Sequence, residues 1–379
     1  MIDGGRVLTS QGLVDASIGV SKGRIQAFGD ELAGDQVVNA AGRLVLAGFI
    51  DLHIHGAAGA EVLGGPDALK GVATYLPRGG TTAFFPTAAT APMDRLLGFL
   101  GDVAELSGSD WHGAELLGSH LEGPYLNPAR KGAQAVEHMR PFNLEEAREL
   151  VDRSRGTLRH LTLAPEIEGG RQLTEALRAS GVTVAAGHSD ATYEQAMEAF
   201  SWGVTHVTHT FNAMRPLHHR DPGLIAAAMA AKEITCEVIA DTVHVHGGAI
   251  RALVEAKGSP RTAIVTDGLP MLGQPPGRYQ WLQRPVVVDE RAAWLEDGGL
   301  CGSITPLDAA LRNLLSLGFS LADAGQMLSA TPASIARVAD RKGALKPGYD
   351  ADLVILDESY RVVATYCRGR LAYSATASE

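Results

Sequence analysis

Two histidines one residue apart, His53 and His55, close the apolar run Gly48-Phe49-Ile50-Asp51-Leu52-His53-Ile54-His55-Gly56. Strand side chains alternate between faces, so both imidazoles point the same way at the strand's end. Imidazole is the commonest metal ligand, and two on one face make half of a divalent-metal site that distant strands can complete. A chance pair on a buried strand would look the same, so the other polar residues decide. Further apolar runs end in His120-Leu121-Glu122-Gly123-Pro124, Ala186-Gly187-His188-Ser189-Asp190, Thr208-His209-Thr210-Phe211-Asn212 and Thr266-Asp267-Gly268. Four histidines and two carboxylates therefore stand at the ends of five strand-like segments.

Their chemistry suggests roles. Glu122, His188 and His209 make one three-ligand set, and a catalytic ion keeps a further position open. His53 and His55, with Glu122 bridging, make a second. Asp267 is left as the general base. The remaining histidines read as packing residues: His120 supports Glu122, and His206 faces away from its core-facing neighbour. His112, His138 and His160 are expected on the surface or in loops, and Cys301 as a small core residue.

These residues share one site only if the segments carrying them are arranged in parallel. Strand runs at 47–55, 81–86, 115–121, 160–164, 182–187, 206–210, 235–240 and 262–265 alternate with helical patterns at 93–105, 144–154, 173–180, 193–202 and 249–257. Eight strand–helix alternations predict a (β/α)8 TIM barrel, whose active site lies at the C-terminal strand ends. An open doubly wound sheet is the alternative, but no GxGxxG follows the first strand. Short strands at 6–9, 16–20, 24–29 and 37–45, and again at 351–356, 360–365 and 367–371, predict a small β-sandwich built from both termini. The division is 1–46 with 343–379 for the sandwich and 47–342 for the barrel. A Pro/Gly-rich stretch at 269–277, followed by a hairpin at 285–295, is a lid candidate. Helices are expected at 306–317, 321–328 and 332–340.

Composition is ordinary for a soluble globular protein. The 379 residues are 45% hydrophobic and 20% charged, with no run long enough for a membrane span. A formal net charge of −10 argues against a nucleic-acid surface. Three separated cysteines and an N-terminus without a signal-peptide pattern predict reduced thiols in the cytoplasm.

The motifs at the strand ends, with Leu163-Ala164-Pro165-Glu166, Arg220-Asp221-Pro222-Gly223 and Lys346-Pro347-Gly348-Tyr349-Asp350-Ala351-Asp352-Leu353, resemble the amidohydrolase superfamily nearly end to end. Within it, His-Leu-Glu-Gly-Pro and Phe-Asn-Ala-Met are similar to the N-acetylglucosamine-6-phosphate deacetylase family. The resemblance implies a divalent ion, with zinc expected, on Glu122, His188 and His209, and a possible second on His53 and His55. It implies Asp267 as acid/base and a sugar phosphate held by Asn212, Ala213 and His244. Ala133, Cys301 and Ser303 are carried along as substrate-side positions. Arg220 would reach a neighbouring subunit's site in a homodimer. The implied reaction is hydrolysis of the N-acetyl group of N-acetylglucosamine 6-phosphate, the galacto epimer being the alternative substrate. One departure stands out: Gln134 occupies a position where the family has a histidine that contacts the acetyl carbonyl, and His138 lies nearby as a substitute. Cyclic-amide hydrolases of the superfamily often carry a carbamylated lysine on strand four, and Ala164-Pro165-Glu166 has none. A non-catalytic scaffold would have no use for six assembled site residues.

Overall fold

The computed structural model describes residues 1–29, 32, 34–109 and 111–375. Its centre is a barrel of eight parallel strands: β1 (Phe49–Ile54), β2 (Thr81–Ala88), β3 (Ser119–Glu122), β4 (Leu158–Leu163), β5 (Thr183–Ala186), β6 (His206–Val207), β7 (Thr235–Ile239) and β8 (Thr262–Val265). Each pairs in parallel with the next. The ring closes at its rim, where Asp267 N–H donates to His53 O (2.9 Å) and His55 N–H to Gly268 O (2.7 Å). The closing contacts therefore lie on the candidate site residues themselves.

Strands buried on both faces read as unbroken apolar runs, and β2 is buried throughout. The expected strand at 115–121 divides at Gly118, whose φ of 141° and whose missing Cβ, which would sit 2.6 Å from Thr157 O, let the chain step inward. The outer helices Met93–Leu106, Leu144–Arg153, Gly170–Ala179, Tyr193–Trp202 and Gly247–Lys257 follow their periodicity. Tyr193–Trp202 opens on a reciprocal Thr192–Gln195 capping box and stops at Gly203, φ 112°. Two helices escaped the pattern reading, Pro66–Tyr75 and Gly223–Ala230. The second, Gly-Leu-Ile-Ala-Ala-Ala-Met-Ala, is apolar all round and so presents no amphipathic stripe.

Both termini meet in one sheet of eight strands. Leu44–Ala47 pairs antiparallel with Leu353–Leu356, joining the N-terminal strands to Val362–Cys367 and Arg370–Ser374. Val7, Ile18, Ile25, Val45, Leu353 and Ile355 gather into its separate core. The expected strand at 37–45 is two short ones, Val38–Asn39 and Leu44–Ala47. Gly48 then turns the chain into β1; a Cβ there would lie 2.2 Å from Thr82 Oγ1.

A charged cluster ties sheet to barrel. Glu115 pairs with Arg341 (2.6 Å) and Lys342 (2.9 Å), while Asp350 and Asp352 take the same two cations. Burial pushes the Glu115 carboxyl up, but these cations outweigh it and hold its pKa at about 2.

Beyond β8 the expected hairpin gains a third strand, giving Gly277–Trp281, Arg284–Val288 and Ala293–Leu295. This flap packs on Leu269, Met271 and Cys301. Helix Leu307–Ser316 follows. The two helices expected at 321–328 and 332–340 form one run instead, Leu321–Gly325, a π segment Gln326–Ala330 and Thr331–Ile335, ending before Arg337 at φ 58°.

Candidate active site

All six predicted rim residues converge. Glu122, at the end of β3, puts Oε1 2.9 Å from His188 Nε2 and 2.8 Å from His209 Nε2. The two imidazole nitrogens are 3.2 Å apart. Alongside, His53 Nε2 and His55 Nε2 are 3.3 Å apart, with Glu122 Oε2 3.4 Å from the latter. Asp267 Oδ1 faces both, at 3.5 Å from His53 and 3.1 Å from His55. Its side chain is 13% exposed, whereas the others are all but closed off, so the carboxylate stands at the boundary with the cavity.

The donor set fits divalent ions. Ligands bound at about 2.0–2.1 Å in a tetrahedron stand a little over 3 Å from one another, which matches the spacing in both groups. Two of the histidines are also presented in the right tautomer. His55 Nδ1–H donates to Thr87 O (2.8 Å) and His188 Nδ1–H to Arg130 O (2.9 Å), leaving each Nε2 lone pair inward. Without an ion, protons answer the same negative field. Burial lowers the affinity of His55 for a proton, but Asp267 and Glu122 prevail and raise its pKa to about 9. Burial likewise opposes the charge on His53, and the same carboxylates hold it well above the usual imidazole range. Glu122 and Asp267 are desolvated, yet the neighbouring imidazoles keep both carboxyls below their ordinary values. A cation can replace those protons.

Backbone strain concentrates here. His188 (φ 47°), His209 (28°), Phe211 (85°), Ala213 (48°) and Asp267 (49°) all adopt left-handed conformations that side chains with a Cβ seldom take. His188, His209 and Asp267 each stand two residues past the end of their strand, where the turn re-aims the side chain over the barrel mouth.

A cavity of about 220 Å³ opens above these rim residues, lined by Ala133, Gln134, Asn212, Ala213, His244 and Cys301 among others. The predicted substrate-side residues thus divide. Gln134 is buried with its amide engaged at both ends: it donates to Glu122 Oε2 and accepts from Thr90 N–H (2.8 Å). His244 has both ring nitrogens satisfied internally, by Asp241 Oδ2 (2.5 Å) and Cys301 O (2.6 Å). Burial disfavours its charge, but the Asp241 bond outweighs that and raises its pKa. Ser303 does not line the cavity; its backbone N–H holds Asp267 O at 2.8 Å. Arg220 is exposed, outside the cavity, donating to His219 Nε2 (2.8 Å). His138 lines a different pocket.

The expectation that His160 lies on the surface or in a loop is overturned. It is fully buried inside the barrel, ring to ring with His120 and His206. A strand buried on both faces gives no apolar–polar contrast to tell inside from outside. Two contributors were missed. Trp281, from the flap, covers His55 with ring centroids 5.2 Å apart. Glu237, on β7, lies directly beneath His53. The only sequence signal for Glu237 is a carboxylate in the otherwise strand-like Thr235-Cys236-Glu237-Val238-Ile239.

Comparisons with known proteins agree with this geometry. The amidohydrolase family model matches residues 44–372. The N-acetylgalactosamine-6-phosphate deacetylase of Escherichia coli O157:H7 is 36% identical over 370 residues, 97% of each chain. The N-acetylglucosamine-6-phosphate deacetylase of Bacillus subtilis is 34% identical over 365 residues, 94% of this chain and 92% of that one. A crystal structure of the Mycobacterium smegmatis N-acetyl-D-glucosamine-6-phosphate deacetylase superposes with a TM-score of 0.92 at 28% identity, covering 98% of this chain and 99% of that chain. With its barrel, its rim of histidines and carboxylates and these relatives, this chain belongs to the amidohydrolase family, in the lineage of the N-acetylglucosamine-6-phosphate deacetylases.

Proposed function

We propose that this chain hydrolyses the acetamide of N-acetylglucosamine 6-phosphate to glucosamine 6-phosphate and acetate. The observation that carries the reading is Asp267, poised at the cavity boundary 3.1 Å from His55 and beside the Glu122–His188–His209 set. Glu122, His188 and His209 would hold one divalent ion, and His53 and His55 with Glu122 a second, zinc being the metal that suits imidazole and carboxylate ligands. Such an ion supplies a Lewis acid for the carbonyl and water acidic enough to react near neutral pH. Asp267 takes the proton of the attacking water and returns it to the departing nitrogen, because an amine leaves far more readily than its anion. Asn212, Ala213 and His244 line the space for the sugar phosphate; His244 offers it charge through a ring already fixed by Asp241.

Gln134 here serves Glu122 first, since its amide nitrogen already donates to that carboxylate. The exposure of Arg220 outside its own cavity supports a role across a homodimer, where its planar fork would pair two phosphate oxygens. The cytoplasm suits the substrate and the three free cysteines. The 36% identity to the E. coli galactosamine-type relative, level with that to the glucosamine-type ones, keeps the galacto epimer as a second reading.

The test is acetate release from both N-acetylhexosamine 6-phosphates and from unphosphorylated N-acetylglucosamine, with zinc and after chelation. Metal-dependent release from the gluco phosphate, and little from the unphosphorylated sugar, is expected. Release from the galacto compound alone selects the second reading. A fully active monomer in sedimentation would remove the role of Arg220.

A further inference from the structure

Beneath the rim, the barrel interior holds a second polar layer. His120, His160, His206 and Glu237 are all fully buried there. Glu237 connects this layer to the ligands above. Its Oε2 accepts from His53 Nδ1–H at 3.2 Å and from the His209 backbone N–H at 3.3 Å. Its Oε1 is 3.0 Å from His206 Nε2. Thr235 Oγ1, 2.5 Å from His206 Nδ1, can donate to that nitrogen and so leave Nε2–H for Glu237.

We propose that Glu237 is the positioning residue of the second ion's site, fixing the His53 ring so that Nε2 faces His55 and Asp267, with His206 anchoring Glu237 from below. The inference rests on the two-ion reading of the site.

The argument is one of tautomer and orientation. His53 is a ligand only if Nε2 is unprotonated and directed at the rim. A ring whose Nδ1–H is bound to a carboxylate meets both conditions, and the carboxylate also raises its basicity. His209 Nδ1 has no such acceptor among the described residues, whereas the other two inward histidines have backbone carbonyls in this place, Thr87 O for His55 and Arg130 O for His188. Those acceptors are fixed by the main chain; Glu237 is a side chain and must itself be held. His206 Nε2 and the His209 amide do that, which accounts for a carboxylate with no exposure inside a barrel. The contact to His209 is through its backbone alone, so loss of the Glu237 charge bears chiefly on the His53 pair.

The experiment counts bound metal in the full-length protein. Chelator-stripped wild type, Glu237→Gln and His55→Asn are titrated with zinc, and bound zinc is measured by mass spectrometry. Wild type is expected to take up two ions and His55→Asn one. Glu237→Gln, nearly isosteric, should bind the first ion with wild-type affinity and the second about 10–100-fold more weakly. Two ions at wild-type affinity in Glu237→Gln, or equal weakening of both, would overturn the proposal. If wild type binds one ion and His55→Asn changes nothing, it is the two-ion reading that fails, and the proposal with it. A third ion, lost in His160→Asn, would make the inner layer a ligand set and remove the positioning role. Should Glu237→Gln not fold, His206→Asn keeps the carboxylate and loosens its anchor, and must weaken the second ion selectively.

Discussion

Replacing Gln134 by alanine separates two roles for the position. As an oxyanion donor, its removal should lower kcat by about 10²–10³ with metal binding untouched. The structure gives it different work. Its amide donates to Glu122 Oε2 and accepts from Thr90 N–H, and Thr90 is itself buried. Losing the first bond frees a ligand carboxylate to rotate, which by analogy with other residues that orient ligands weakens metal binding about 10–100-fold. Losing the second strands a buried amide, costing about 1–3 kcal/mol. Gln134→Ala should therefore melt a few degrees lower, bind zinc more weakly, and recover most of its kcat once zinc is saturating. Zinc titration followed by initial rates at saturating zinc reads all three. A kcat still down by two orders of magnitude with zinc saturated, at unchanged zinc affinity, would refute this reasoning.

Asp267→Asn should retain its zinc and lose about 10²–10⁴ in kcat; metal counting beside rates checks it, and near-normal turnover would take Asp267 out of the proton transfers. Zinc must displace the proton that Asp267 and Glu122 hold on His55 up to about pH 9. Affinity of the His53–His55 pair for the ion should thus fall as the pH drops below that point, by about tenfold per pH unit for each proton displaced. Calorimetry in buffers of different ionisation enthalpy should find proton release at pH 7, and none would contradict the prediction. Glu115, held at about 2 rather than 4.5, contributes stability that is present above about pH 4.5 and lost as pH falls toward 2. The depression corresponds to at most ~3 kcal/mol, reduced by partial exposure of the carboxylate. Urea unfolding of Glu115→Gln should show that deficit at pH 7 and its disappearance near pH 2; equal stability at pH 7 would count against the cluster.

The candidate ligands stood out because each is a polar residue at or just past the end of a strand-like run, a local signal that the barrel makes meaningful by aligning all eight ends. The flap was half legible: three consecutive valines, Val286–Val288, read as strand, whereas Gly277–Trp281 follows prolines and glycine that read as loop. Hence Trp281 over His55 could not be foreseen. Glu237 was hidden for another reason. Its partner His53 is 184 positions away, and no local pattern shows which face of a doubly buried strand looks inward. The π segment at Gln326–Ala330 was equally silent, since a one-residue shift in hydrogen bonding leaves the apolar spacing almost unchanged.

The pairing of Leu44–Ala47 with Leu353–Leu356 also dictates a timetable. A ribosome adding about 5–20 residues per second needs some 15–60 s to travel between those strands. Throughout that interval the N-terminal strands have emerged, but the strand that covers the open side of Leu44–Ala47 has not yet been made. An uncovered strand edge invites pairing with other chains. Newly synthesised protein is therefore most exposed to aggregation while the barrel is being built, and release from that hazard comes only once Leu353–Leu356 has been made.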